Sequence, residues 1–374
     1  MNIVIDENIE FAESAFRKYG NITLVHGREI TNALLKNADA LIIRSITKVD
    51  ENLLNETPVK FIGTATIGID HLDIDYLRSR SITLASAPGC NSFAVAEYVI
   101  TAFAKIVAKN NLAGKIKSVG IIGYGNIGSK VVKYFESLGY TLIINDPPLE
   151  KKRKHNINFG TLDEALKCDV ITLHVPYTKN GEFPTHHLID VDELNQIKEK
   201  AVLINTSRGG VVNNSALKNT LKVKRIFTAF DVWENEPHPS LELVELCDIS
   251  TPHIAGYSLE GKANGTMMIE KAFANFTEVE SDWEPKLPAV RRSNIIIENE
   301  SDPIQLLCKT TNNIYDIEKD SLHLKESLIE DQNCFDNLRK NYSPRREFSN
   351  YKIRLNNRVK SCVNLANSLR LKIV

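Results

Sequence analysis

The sequence predicts an α/β protein made of two doubly wound parallel-sheet domains, with a small α+β domain after them. Three observations carry this expectation. Short continuous apolar runs alternate twice along the chain with helix-like stretches, a glycine-rich hexapeptide opens the second series, and the texture turns polar after Trp283, where Pro285 and Pro288 punctuate a linker. Strands that are apolar on both faces belong in parallel sheets covered by helices on either side. At 374 residues the chain exceeds what one growing core serves, so two or three domains are expected.

In the first series the strands are Ile3-Val4-Ile5, Ile22 to Val25, Leu41-Ile42-Ile43, Phe61-Ile62-Gly63 and Ile82-Thr83-Leu84. The stretch from Asn91 to Asn110 reads as one long helix crossing between domains. The second series begins with Val119-Gly120-Ile121-Ile122 and continues with Leu142-Ile143-Ile144, Val170 to Leu173, Val202-Leu203-Ile204, Ile226 to Phe230 and Asp248-Ile249-Ser250. Six strands fit a doubly wound dinucleotide fold. Residues 257 to 282 are expected to pack back on the first domain. The expected domains are therefore 1–95 with 257–282 for substrate, 96–256 for a dinucleotide and 283–374 at the C-terminal end, with a ligand cleft between the first two.

Composition narrows the function classes. A net charge of -1 offers no global field for nucleic acid or an acidic membrane surface, so any anionic ligand needs local groups. The tail's basic residues alternate with acids, which argues against a nucleic-acid partner. Six cysteines lie dispersed with no C-x-x-C pair, which points to reduced thiols rather than a disulfide framework or a metal site. His186-His187 is the only adjacent histidine pair and lacks further ligands at suitable spacing. The N-terminus reads as a first strand, not a signal peptide, and the most apolar helix, Ala94 to Ala108, is too short to span a bilayer. A cytoplasmic protein with no membrane partner is the expectation.

Gly123-Tyr124-Gly125-Asn126-Ile127-Gly128 follows an apolar strand and opens a helix. The first glycine permits a tight turn, the second lets backbone N–H groups approach a pyrophosphate, and the third lets helix and strand pack closely. Alone, such a hexapeptide also fits an ordinary glycine-rich turn. The next strand ends at Asp146, near the spacing of roughly 20 residues expected for an acid that accepts hydrogen bonds from a ribose diol. A carboxylate there repels a ribose phosphate and favours NAD over NADP. Lys151-Lys152-Arg153-Lys154 lies just downstream and reads either as a phosphate holder or, more in keeping with short charge clusters, as a solvated turn.

Three polar groups follow strands of the second series, at the edge where doubly wound sheets place ligands. Arg208, after Val202-Leu203-Ile204, offers a planar fork for a carboxylate, though a loop arginine in an ion pair reads the same way. Glu236 and His253 follow the next two strands. Histidine carries protons near neutral pH, and a carboxylate against it raises its pKa and fixes its tautomer. Each alone is equally a solvated loop residue; arginine, acid and histidine at successive strand ends below a dinucleotide loop are harder to obtain by accident.

The order of these motifs resembles the D-2-hydroxyacid dehydrogenase family, whose catalytic arginine, glutamate and histidine fall on Arg208, Glu236 and His253. The resemblance also rests on Arg44-Ser45-Ile46-Thr47-Lys48-Val49, Phe61 to Thr66, Ala87-Pro88-Gly89-Cys90-Asn91, Thr251 to Lys262, Phe335 to Tyr342 and Arg345-Arg346-Glu347. It implies NAD-dependent oxidation of a small phosphorylated hydroxy acid, most closely 4-phospho-D-erythronate on the route to pyridoxal phosphate. With the glycine loop (Gly123, Gly125, Asn126, Ile127 and Gly128) and Asp146, it places Thr206, Ser207, Asp231 and Gly256 at the cofactor. It places Ser45, Thr66 and Tyr257 at the substrate, with Arg44 and Lys48 offering charge to the phosphate, and it makes the C-terminal domain a homodimerisation element. Departures include Ile69 where relatives carry a small polar residue, and a poor match from Lys352 onward. Two other readings stay open: a dehydrogenase of another D-2-hydroxy acid such as phosphoglycerate, and an NAD-sensing binding protein on the same scaffold.

Overall fold

A computed structural model describes residues 1–152, 157–297, 300–356 and 358–374. It divides into two compact units, Met1–Asn91 with Ser258–Ala289, and Ser92–Tyr257 with Val290–Val374.

The first unit holds five parallel strands: β1 (Asn2–Asp6), β2 (Asn21–Val25), β3 (Ala40–Ile43), β4 (Phe61–Thr64) and β5 (Thr83–Ser86), in the order β2-β1-β3-β4-β5. β3 and β4 are buried at every residue, as unbroken apolar runs require, whereas the edge strand β2 exposes Leu24. Helix Leu259–Thr277 packs on β4 and β5 of this unit. Its Ile269 and Phe273 join Ile3, Ile5, Phe16 and Phe61 in one buried cluster.

The second unit carries a six-stranded parallel sheet: β6 (Ser118–Ile122), β7 (Thr141–Asn145), β8 (Val170–Leu173), β9 (Val202–Asn205), β10 (Phe227–Phe230) and β11 (Ile249–Ser250). Its order is β11-β10-β9-β8-β6-β7, and a parallel bridge between Ile144 and Phe159 adds a rudimentary edge beyond β7. The strand order reverses between β6 and β8, which makes the crevice above their carboxyl ends the topological switch point of a doubly wound sheet. The expectation of two parallel-sheet halves therefore holds.

The C-terminal residues form a third, three-stranded parallel sheet of β12 (Asn294–Ile297), β13 (Lys352–Leu355) and β14 (Lys372–Ile373). The boundaries between the units fall at 91, 257 and 289, and the C-terminal residues group with the dinucleotide half. Packing accounts for this grouping. Helix Pro303–Ile314 lies along helix Ser92–Lys109, and Leu306, Leu307, Ile353 and Leu365 share one continuous core with Val99, Phe103, Val119 and Phe135. Glu97, buried in helix Ser92–Lys109, is tied to the same segment: Arg370 bridges its carboxylate at 2.7 Å and that of Glu347 at 2.8 Å, and the Phe348 N–H donates to both Glu97 oxygens. Among the described residues, no helix is long and apolar enough to cross a membrane.

Candidate active site

The glycine loop sits at the switch point. Gly123 adopts φ 95°, and a Cβ there would come within 2.6 Å of the His174 carbonyl oxygen, so the turn after β6 admits no larger residue. Gly128, the first residue of helix Gly128–Ser137, is closed by the Gly123 carbonyl in the same way. Gly125 differs: nothing lies within 4 Å of its would-be Cβ. The chain's own packing explains the outer two glycines, whereas the middle one faces open space over a helix N-terminus, where a pyrophosphate would approach.

Asp146 follows β7, caps the short helix Pro147–Lys151 through Leu149 N–H at 3.0 Å, and accepts the Tyr124 N–H of the glycine loop at 2.8 Å. Its carboxylate is thereby fixed beside that loop, with lone pairs left for hydroxyl donors. Of the basic run, Lys151 pairs with Glu182 at 2.7 Å and Lys152 caps the end of helix Pro147–Lys151, while Arg153 and Lys154 lie outside the described residues.

Two polar atoms at this edge are sealed from solvent without a hydrogen-bond partner: Nδ1 of His174, just after β8, and Oγ1 of Thr206, just after β9. Burial pushes the His174 imidazole down to about 3, so the ring is neutral. Its Nε2 lies 2.9 Å from Thr172 Oγ1. Orphaned buried polar atoms are uncommon in folded proteins and call for a partner. Together with the open space at Gly125 and the fixed Asp146, they fit a dinucleotide lying across the switch point. His174 is not among the residues the sequence motifs single out, although its place one residue beyond an apolar strand, level with Gly123, marks it.

Three loops at the ends of adjacent strands carry Arg208, Glu236 and His253. Asn205 braces the first by accepting Ser207 N–H and Oγ–H and donating to the Arg208 carbonyl. The Arg208 guanidinium donates to the Ser207 carbonyl at 2.8 Å. Gly209 then packs directly on the Trp233 and Glu234 backbone, where no side chain would fit, and Asn214 exchanges hydrogen bonds with Glu234. This locks the Arg208 loop to the Glu236 loop. Trp233 Nε1 donates to the Thr251 carbonyl at 3.0 Å and His253 N–H donates to the Asp231 carbonyl at 2.7 Å, which locks the second loop to the third.

The Glu236 carboxylate accepts the Trp233 N–H at 2.8 Å through one oxygen and lies 2.7 Å from His253 Nδ1 through the other. Burial works to raise the Glu236 carboxyl, but the His253 charge and hydrogen bond, the Trp233 N–H and the Arg339 charge together hold it below the usual range. His253 has φ 56°, a conformation uncommon outside glycine, and its side chain is about one-third exposed, at 31%. Asp231 is turned inward. Its carboxylate accepts Thr251 Oγ1–H, Ile254 N–H and Ala255 N–H at 2.7 to 2.9 Å, so it holds the His253 loop. Gly256 lies in the tight turn closed by Tyr257 N–H on the Ile254 carbonyl.

In the first unit, Arg44 and Ser45 follow β3 and Thr66 follows β4, neighbouring strands with Ile43 opposite Thr64. Arg44 is engaged with the buried Asp6 at 2.9 Å, Lys48 with Asp50 at 2.8 Å, and Thr66 Oγ1 lies 2.8 Å from Thr64 Oγ1. Tyr257 belongs to the second unit. His187 is paired with Glu234 at 2.6 Å and stacked on His186. Among the described residues, no group of three histidine, cysteine or acidic side chains is placed to hold a metal ion.

A parallel sheet with a glycine-rich switch point and an acid–histidine pair at its strand ends defines a nicotinamide-dependent dehydrogenase of 2-hydroxy acids. Residues 104–255 match the family described as D-isomer specific 2-hydroxyacid dehydrogenase, NAD binding domain, and residues 287–369 match a domain of unknown function (DUF3410). The chain belongs to the erythronate-4-phosphate dehydrogenase family. It is 42% identical to the protein of that name from Shewanella halifaxensis over 94% of each chain, and 42% identical to that from Wigglesworthia glossinidia brevipalpis over 96% of this chain and 95% of the relative. Among solved structures it resembles the D-lactate dehydrogenase of Aquifex aeolicus complexed with NAD and lactic acid, with TM-score 0.61 and 26% identity over 74% of this chain and 96% of that one. The fold also matches the NAD-bound 3-phosphoglycerate dehydrogenase of Entamoeba histolytica, with TM-score 0.63 and 23% identity over 77% of this chain and 99% of that one.

Proposed function

We propose that this chain oxidises 4-phospho-D-erythronate to (R)-3-hydroxy-2-oxo-4-phosphooxybutanoate with NAD, a step of pyridoxal phosphate biosynthesis. The observation that carries this reading is similarity along nearly the whole chain, C-terminal segment included, to relatives bearing that activity in their names.

The residues are assigned as follows. Arg208 holds the substrate carboxylate and polarises the oxygen on the reacting carbon. His253 takes the hydroxyl proton on Nε2, because Nδ1 faces Glu236 and that contact sets the tautomer. Glu236, anchored by Trp233 N–H, stabilises the imidazolium as it forms. NAD, when bound, would supply the hydride acceptor. Gly123, Gly125, Asn126, Ile127 and Gly128 would hold its pyrophosphate, Asp146 its ribose, and Thr206, Ser207, Asp231 and Gly256 the nicotinamide side; Asp231 acts through the loop its carboxylate anchors. Ser45, Thr66 and Tyr257 are assigned to substrate recognition, and Arg44 to the phosphate through the donors that Asp6 leaves unengaged. General acid–base catalysis of this kind supplies about 10²- to 10⁴-fold, with positioning providing much of the remainder.

We further infer a cytoplasmic homodimer joined through residues 283–374. Support for the dimer is the alternating exposure of β12 and β13, which leaves Ile296 62% exposed on one sheet face. The test of the activity is a panel of hydroxy acids assayed with NAD. 4-Phosphoerythronate should give the highest specificity constant; a higher constant for phosphoglycerate would move the assignment to another member of the class.

A further inference from the structure

The loop Thr251–Tyr257 has little regular structure of its own, yet it carries His253 in a left-handed backbone conformation. Such a conformation persists only where its surroundings over-determine it. Asp231 satisfies the loop's donors from one side. The acceptors are met by the C-terminal segment. Arg345 donates through Nη1 to the Ile254 carbonyl at 3.0 Å, and through Nη2 to the Ala255 carbonyl and to the Ala94 carbonyl at 2.8 Å. Its own backbone N–H donates to the Tyr257 carbonyl at 3.3 Å, and its guanidinium lies 4.7 Å from the centre of the Tyr315 ring. One planar fork thus joins the His253 loop to the start of helix Ser92–Lys109.

A second arginine of the same segment packs on Tyr257, the residue that closes the loop. Arg339, on helix Phe335–Lys340, lies 5.9 Å from the Tyr257 ring centre and 6.0 Å from that of Phe335, with its side chain 14% exposed. Its Nε is buried without a hydrogen-bond partner, and Asp336 stands 3.6 Å from Nη1. Its charge adds, after those of His253 and the Trp233 N–H, to holding the Glu236 carboxyl below the usual range.

We propose that Arg345 and Arg339 are positioning residues for the reaction, so that residues 287–369, besides any part in assembly, brace the His253 loop and Tyr257 within their own chain. This rests on the roles given above to His253 and Glu236. Lysine cannot replace Arg345, because one ammonium does not span three carbonyls held by a fixed guanidinium fork.

The test uses the full-length chain and the variants Arg345→Lys, Arg339→Met and Arg339→Lys. Turnover, KM for 4-phosphoerythronate, NAD affinity and amide hydrogen exchange over 253–257 are measured on each. Arg345→Lys and Arg339→Met should lower kcat by about 10- to 100-fold, the scale expected for slight misplacement of reacting groups. NAD affinity should stay near that of the parent, exchange over 253–257 should quicken, and Arg339→Lys should recover part of the turnover. Unchanged kcat and exchange in both variants overturn the proposal. So does a rise in KM alone, or loss of turnover that only tracks loss of NAD affinity and thermal stability. A parent chain that makes no NADH from any hydroxy acid defeats the proposed function instead, and the exchange measurement still reads the bracing.

Discussion

The Glu236 carboxylate stands 2.7 Å from Nδ1 of His253 although the two residues lie on different loops, each following its own strand of the parallel sheet. The acid is itself fixed by the Trp233 N–H, and the histidine backbone by the Asp231 carbonyl. The pair is therefore set by the sheet edge rather than by the rotamers of free side chains. Replacing Glu236 by Gln should lower kcat by about 10²-fold or more, since an amide neither selects the tautomer nor stabilises an imidazolium as a carboxylate does. Steady-state kinetics at saturating NAD checks this, with KM for NAD expected to stay near the parent value.

The glycine loop gives a prediction that separates packing from ligand binding. Gly125→Ala meets open space, so its melting temperature should match the parent, while NAD affinity should drop by about tenfold or more as the methyl enters the pyrophosphate path. Gly128→Ala collides with the Gly123 carbonyl and should cost about 1–3 kcal/mol of stability, the usual scale of overpacking. Fluorescence titration with NAD and urea denaturation of both variants distinguish the two effects.

Asp146 should govern the choice of cofactor. Its replacement by Ala removes an acceptor worth about 1.5–3 kcal/mol to a hydroxyl pair, so KM for NAD should rise about 10- to 100-fold. The loss of a helix cap and of the Tyr124 contact adds a smaller cost in stability. The parent should prefer NAD to NADP in steady-state kinetics, and the reverse preference would remove Asp146 from this role.

How legible this was from the sequence varied with the range of the interaction. β3, β4, β8 and β9 are buried at every residue, and unbroken apolar runs announce such strands. The glycine hexapeptide announces its turn because Gly123 and Gly128 are sterically obligatory. Arg339 and Arg345 fall within stretches that carry the family resemblance, but no periodicity or steric requirement ties them to the His253 loop. They lie roughly 90 residues downstream of the loop they touch, in a polar stretch with the composition of a tail, and the packing of helices Pro303–Ile314 and Ile317–Glu330 on the dinucleotide half brings that stretch back. The short strands β13 and β14 are hidden for a related reason. β13 alternates exposed and buried residues over only four positions, and β14 has two.

The buried Glu97 predicts a pH-dependent stability. Burial first, then the nearby Glu347 charge, push its carboxyl up to about 8 in spite of Arg370 and the Phe348 N–H. In the folded chain it keeps its proton where an unfolded glutamate, near 4.5, has lost it. The folded state therefore binds more protons between these values, and stability falls as pH rises from about 4.5 to about 8. Glu97→Gln should flatten that slope, as read by urea denaturation at both ends of the range.

Whether His253 moves the proton of a substrate held by this chain is decided by NADH formation from 4-phosphoerythronate by the parent and by His253→Ala, with NAD affinity determined on both. The parent should produce NADH, and the variant should bind NAD as the parent does while turning over about 10²- to 10⁴-fold more slowly. Turnover by the variant close to that of the parent would remove His253 from the proton transfer.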